Sequence, residues 1–229
     1  MNKTYLFAGA SSLIAKKTAE ILQSRGYRVI GLSTKEQSYE YDFFFRVKSY
    51  EAINLPVIPE MLEGLVYFPG TINLKPFHRF TIQEFKNDYD INTLGALNCI
   101  QTYLPNLKES PLASIVLISS VAVKTGMPFH SSIAMAKGAI EGLTKALAAE
   151  LAPFIRVNAI SPSLTNTPLA QRFTNTPDKF DASEKRNPLK KVGKPEELAE
   201  AISFLLGQKA SWITGQILAV DGGMGTLKL

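Results

Sequence analysis

SIVLISSVAVKTGMPFHSSIAMAKGAIEGLTKALAAE, residues 114–150, is the stretch whose reading decides the fold. Its opening run, Ile115 to Ile118, is continuously apolar rather than alternating, the pattern of a strand buried on both faces. The run ends on two hydroxyls, Ser119 and Ser120, and a loop punctuated by Gly126 and Pro128 follows. Residues 131–151 then read as a long Ala-rich helix. On it Ile133, Ala136, Lys137, Ile140, Thr144, Leu147 and Leu151 share one face at spacings of three and four, which turns Lys137 inward. A buried strand leading into a helix belongs to a parallel α/β sheet, where ligands bind outside the carboxyl ends of strands. Ser120 and Lys137 are therefore candidate chemical groups.

Working outward, residues 4–8 form a first buried strand, Gly9 to Ser12 a turn, and residues 13–25 a helix with Ile14, Thr18, Ile21 and Leu22 on one side and Gly26 as its stop. Residues 28–32 give the second strand. This βαβ opening implies a right-handed crossover and a helix N-terminus able to hold phosphates. A third strand is expected at about 39–43, with hardly room for a helix before it. Residues 46–63 hold Pro56 and Pro59 and at best a short helix, and residues 64–68 form the next strand. Thr81 and Glu84 make a capping box for a helix to about residue 104, with Pro105 and Pro111 flanking the loop after it. Residues 155–160 form another strand, and Pro195 followed by Glu196 and Glu197 has the pattern of a helix start. The expectation is an α/β fold over residues 1–229: a single-domain, Rossmann-type, doubly wound parallel sheet of about seven strands with helices on both faces.

Composition narrows the function classes. The chain has 229 residues, 45% hydrophobic and 20% charged, and a net charge of +5. The basic residues are scattered pairs such as Lys16-Lys17 and Lys190-Lys191, not a stripe interleaved with aromatics, so no nucleic-acid partner is expected. Cys99 stands alone and reads as a small core residue; two histidines and one cysteine make no metal-ligand set. No apolar run is long enough to span a bilayer. The chain passes from Met1-Asn2-Lys3 into a strand with no signal-peptide pattern, so a cytoplasmic location is expected.

The spacing of Ser120, residue 133 and Lys137 resembles the catalytic segment of the short-chain dehydrogenase/reductase family, of the ketoacyl-reductase-like kind. That family places a Ser, a Tyr and a Lys there; here the Tyr position is Ile133. The resemblance extends over nearly the whole chain, and it implies that the helix opened by Pro195 is the last and that the final strand lies within 212–223. Asn92, within Ile91-Asn92-Thr93-Leu94-Gly95, matches the helical Asn that supports a proton path. The glycine-rich turn matches at Gly9, with Leu13 and Ala15 at its second and third glycine positions, and implies phosphate contacts from Ser11, Ser12, Leu13 and Ile14. Ser33, Thr34 and Lys35 occupy the place of a ribose-binding acid, which favours NADP(H) over NAD(H). The resemblance also assigns Asp42 to the adenine, Gly70 of Tyr67-Phe68-Pro69-Gly70 to the ribose wall, Lys137 to the ribose, and Leu164 and Thr167 to the carboxamide. Residues 168–188 would be a lid, the substrate a small carbonyl or alcohol, and the assembly a homodimer or homotetramer.

In that family the Tyr gives its proton to the substrate oxygen, the Ser polarises the carbonyl and the Lys lowers the Tyr pKa. Isoleucine can neither give nor take a proton. Three substitutes are open: His130, one turn before Ile133; a water; or a tyrosine from elsewhere, such as Tyr67 or Tyr103. Two functions follow. One is an NAD(P)-dependent oxidoreductase with impaired or altered catalysis. The other is a catalytically silent relative acting as a binding or hetero-oligomer partner.

Overall fold

A computed structural model describes residues 3–37 and 39–228. Seven strands form one parallel sheet: β1 (Thr4–Ala8), β2 (Arg28–Ser33), β3 (Phe43–Arg46), β4 (Gly64–Tyr67), β5 (Ala113–Ile118), β6 (Ile155–Pro162) and β7 (Ile217–Val220). Their order is β3-β2-β1-β4-β5-β6-β7, so the chain reverses direction of travel across the sheet between β1 and β4. That switch point opens the crevice in which doubly wound folds bind ligands.

Alternation along each strand sorts the core into two layers. Leu6, Ile30, Leu65 and Ile115 are in register across β1, β2, β4 and β5 and face one side. Helices α3 (Gly95–Lys108) and α5 (Ser131–Leu151) cover them there. Tyr5, Phe7, Val66 and Val116 face the other side, under α1 (Leu13–Ser24) and α7 (Pro195–Leu206).

The capping box forms: Thr81 accepts from the Glu84 N–H and Glu84 accepts from the Thr81 N–H, opening α2 (Ile82–Tyr89). The expected single helix is then interrupted by a π turn, Asp90–Leu94, with Asn92 inside it. It resumes as α3, which runs through Pro105 instead of stopping there. The lost rung is offset by anchors on the next residue: Asn106 Nδ2 donates to the Ile58 and Glu60 carbonyls, and the Leu62 N–H donates to the Asn106 carbonyl.

The third strand lies later than the sequence indicates, at Phe43–Arg46 instead of 39–43. Tyr39 and Tyr41 are aromatic because they pack as a loop: their hydroxyls donate to Gln23 and to the Ala10 carbonyl. Among the described residues no helix intervenes between β2 and β3, and Phe43 on the sheet edge is 47% exposed. Between β3 and β4 there is one 3-10 turn, Ala52–Asn54. Past β5 comes α4 (Val121–Lys124), and residues 168–188 carry a 3-10 turn, Pro168–Phe173, and α6 (Pro177–Arg186).

Candidate active site

One cavity of about 1260 Å³ runs along the carboxyl ends of the strands, from the β1–α1 turn to the start of α5. At its first end, Gly9 adopts φ +79°, and a Cβ there would stand 2.7 Å from Pro69 Cδ, so the turn must be glycine. The Gly9 N–H is occupied by the Leu32 carbonyl and by Tyr50 Oη, both at 2.9 Å. Ser12 is the N-cap of α1 but its hydroxyl caps nothing, and the first turn carries no acid. The N–H groups at that helix start have no acceptor among the described residues, which makes them available to an anion. Ser11, Ser12, Leu13 and Ile14 line the cavity, with Thr34, Lys35 and Lys48 on its rim. These donors and cations fit the phosphates of a dinucleotide, and the half-buried Leu13 side chain stands in the wall beside them.

Two residues expected here are elsewhere. Asp42 precedes β3, at the opposite end of the strand from the cavity, and accepts from the Val29 N–H and Gln23. The later start of β3 accounts for this, and Lys48, Ser49 and Tyr50 line that side instead. Ser33 is buried in β2, where its hydroxyl accepts from the Lys35 N–H; Thr34 takes its place in the cavity wall.

At the second end, β5 delivers Ser119 and Ser120. Ser119 donates to Glu141 Oε1 at 2.6 Å, while Ser120 caps α4 by accepting from the Ala122 N–H. From α5, His130, Ile133 and Lys137 all line the cavity, as spacings of three and four require. Ile133 is 5% exposed yet belongs to neither core layer, so its side chain is cavity wall rather than core filling. Lys137 Nζ donates to the Ile118 carbonyl at 2.8 Å, and burial pulls the amine down to about 7. His130 Nδ1 is paired with the Pro128 carbonyl at 2.7 Å, which makes it the donor nitrogen in the neutral ring and leaves Nε2 without a hydrogen-bond partner among the described residues.

Among the described residues no tyrosine hydroxyl is hydrogen-bonded to Ser120 or Lys137. Tyr50 and Tyr67 are the phenols among the described cavity-lining residues. Tyr67 Oη donates to the Ile91 carbonyl at 2.6 Å, and Tyr50 Oη serves Gly9. Tyr103 donates to the Pro56 carbonyl, away from Ser120 and Lys137. Burial raises all three phenols, so none gives up a proton readily.

Asn92 sits behind the wall, fully buried. Its Nδ2 donates to the Asp88 carbonyl, just before the π turn, and to Thr71 Oγ1. A Cβ on Gly70 would lie 3.2 Å from Asn92 Oδ1 and 3.5 Å from Lys137 Nζ, so glycine is what lets these two approach the cavity. Sequence reasoning missed the acid in this network. The buried Asp88 carboxylate accepts from Thr71 Oγ1 at 2.7 Å and from Ser132 Oγ at 2.6 Å. An acid four residues before Asn92, on the same helix face, was the available signal.

Pro162, Ser163, Leu164, Thr165 and Thr167 close the reaction end, and Leu169, Phe173, Ser183 and Arg186 of residues 168–188 cover it. Arg172 Nη2 donates to the Ile72 carbonyl at 2.6 Å, tying this cover to the loop after β4.

The comparisons with known proteins agree with this geometry. A family model described as enoyl-(acyl carrier protein) reductase matches residues 59–225. The uncharacterized oxidoreductase YmfI of Bacillus subtilis is 31% identical, over 97% of this chain and 99% of its own. The 3-oxoacyl-[acyl-carrier-protein] reductase FabG of Thermotoga maritima is 30% identical over 97% of each. A short-chain dehydrogenase family protein from Francisella tularensis superposes with a TM-score of 0.91 at 26% identity, covering 99% of this chain and 100% of that one. With an open crevice at the switch point, and with Ser120 and Lys137 at its reaction end, the chain belongs to the short-chain dehydrogenase/reductase family of NAD(P)-dependent oxidoreductases.

Proposed function

We propose that this chain reduces a small carbonyl compound, or oxidises the corresponding alcohol, with NADP(H) in preference to NAD(H), and that His130 replaces the phenol as proton donor. The observation that carries the reading is continuity: one cavity joins an anion-binding helix start to Ser120, His130 and Lys137. When bound, the nicotinamide would supply the hydride. The residues do the rest. The α1 N-terminus, Ser11 and Ser12 hold the phosphates, and Thr34, Lys35 and Lys48 supply hydroxyl and positive charge for a 2′-phosphate. Lys137 grips the ribose beside Gly70, while Leu164 and Thr167 orient the carboxamide. Ser120 donates to the carbonyl oxygen, and protonated His130 hands over its Nε2 proton as negative charge develops there. Residues 168–188 act as a lid that keeps water from the reacting carbon. Asn92 is a positioning residue that fixes the Gly70 wall.

Titration of the protein with NADPH and with NADH by nucleotide fluorescence tests the first half. NADPH is expected to bind at least tenfold more tightly; failure of both at millimolar concentration overturns the reading. Ketone reduction is expected to be lost in His130→Ala and kept in Lys124→Ala.

Ile133 and Leu13, apolar side chains in the cavity wall, favour a second reading. In it the chain is a catalytically silent partner in a homo- or hetero-oligomer. Trp212, 99% exposed, and the half-exposed Phe204 and Leu218 give α7 and β7 an apolar outer side suited to assembly. Light scattering of the purified chain, alone and mixed with an active relative, separates self-assembly into dimers or tetramers from mixed assembly.

A further inference from the structure

The Lys137 amine is less committed than a ribose-gripping ammonium needs to be. Its one hydrogen-bond acceptor among the described residues is the Ile118 carbonyl. No carboxylate lies within 4 Å of it among those residues. The ionisable groups on the elements packed around it are engaged or remote. Asp88 at the end of α2 serves Thr71 and Ser132, Glu141 one turn further along α5 serves Ser119, and His130 is paired with Pro128. Asp90 is exposed on the cavity rim. One turn back along α5, aliphatic Ile133 offers the amine no polar neighbour. Burial with no offsetting charge leaves a large share of the amine unprotonated near neutrality. A free amine facing a cavity is a nucleophile toward carbonyl carbon.

We propose that Lys137 captures carbonyl compounds covalently: with no nicotinamide bound, its Nζ condenses with a small, uncharged aldehyde or ketone to an imine. The nitrogen lone pair forms the C–N bond as the carbonyl π pair moves to oxygen. One proton passes from nitrogen to that oxygen, giving a carbinolamine. Loss of water then makes the C=N bond, with no change of oxidation state overall. Leu74, Met127, Ile133 and Phe173 line the cavity and admit an apolar carbonyl; of the cations in its lining, Lys35 and Lys48 stand with the phosphate turn at the far end and Arg186 on the cover of the reaction end. This activity goes beyond the oxidoreductase reading and competes with it for the same nitrogen.

The test is reductive trapping on the unaltered chain with propanal and sodium cyanoborohydride, without nucleotide, followed by peptide mass spectrometry. Lys145, exposed on the same helix, is the internal control. At pH 7 the Lys137 peptide is expected to label at least about tenfold faster than the Lys145 peptide, because an ordinary lysine is almost wholly protonated there. The ratio should fall toward pH 10 as surface amines deprotonate. Saturating NADPH should suppress labelling at Lys137 and leave Lys145 unchanged. Labelling of Lys137 no faster than Lys145 at pH 7 overturns the proposal. Fast labelling of Lys137 in a chain that NADPH neither binds nor protects leaves this proposal standing and removes the oxidoreductase reading instead.

Discussion

The β6–α7–β7 side of the molecule and the cavity wall use polar atoms in opposite ways. On the first, side chains from β5 and β6 finish the backbone of the neighbouring turn. Arg156 donates to the carbonyls of Leu205, Leu206, Gly207 and Ile213, Ser114 adds a second donor to Leu205, and Asn158 bonds both Ile213 and Gln216. Every one of those contacts serves the frame. Along the cavity wall the frame is equally complete, with Gly9, Gly70 and Gly95 each placed where a Cβ would collide or crowd. What changes there is the role of the side chains: Leu13 and Ile133 line the cavity with apolar surface instead of bonding the frame. A fold can hold its shape while its chemistry is revised, because different atoms carry the two tasks.

The largest expected effect breaks the comparison from the cavity side. Ile133→Tyr places a phenol one turn from Lys137, in the cavity wall. A positioned general acid contributes on the order of 10²–10⁴-fold in rate, so adding Ile133→Tyr to His130→Ala should raise kcat for ketone reduction at least about 100-fold over His130→Ala alone. His130→Ala should then cost little when combined with Ile133→Tyr and most of the activity in the natural chain. No gain at all would place the obstruction at the cofactor end and favour the silent reading.

From the frame side, Arg156→Met should lower stability by about 3 kcal/mol, the scale set by removing one buried charged donor that serves four carbonyls. The guanidinium is 4% exposed and burial already lowers its pKa, so the site has little water to offer in exchange. A shift of the urea midpoint at unchanged slope, together with unchanged NADPH affinity, would sharpen the division between frame and cavity. A fall in NADPH affinity as large as the fall in stability would erase it.

The same division explains what the sequence made readable. The buried strands announced themselves as continuous apolar runs, and the spacing on α5 was enough to bring His130, Ile133 and Lys137 to one cavity. Local capping chemistry at Thr81 and Glu84 was equally plain. What escaped is non-local. Tyr39 and Tyr41 read as strand residues because their packing against α1 cannot be seen from composition, and that two-element error carried Asp42 to the wrong end of β3. The Thr71–Asp88–Ser132 network joins three distant segments through side-chain oxygens, and no spacing rule connects them. Pro105 failed to end its helix because Asn106 is held from outside it.

Leu13→Gly has the smallest expected effect and tests the cofactor end by itself. Leu13 is the first residue of α1, half-buried and in the cavity wall beside Ser12 and Ile14. Its N–H is one of the unpaired helix-start donors, and glycine keeps that donor while removing four carbons from the path of a phosphate. Affinity for NADPH should therefore improve by roughly tenfold, about 1.4 kcal/mol. Against this, glycine in place of leucine costs helix stability of about 0.5–1 kcal/mol at most, since the first helical position bears less of the propensity penalty than the interior. Tighter NADPH binding with a slightly lower urea midpoint is the outcome that keeps frame and chemistry separate. Unchanged affinity would mean that the Leu13 side chain already lies clear of the phosphate path.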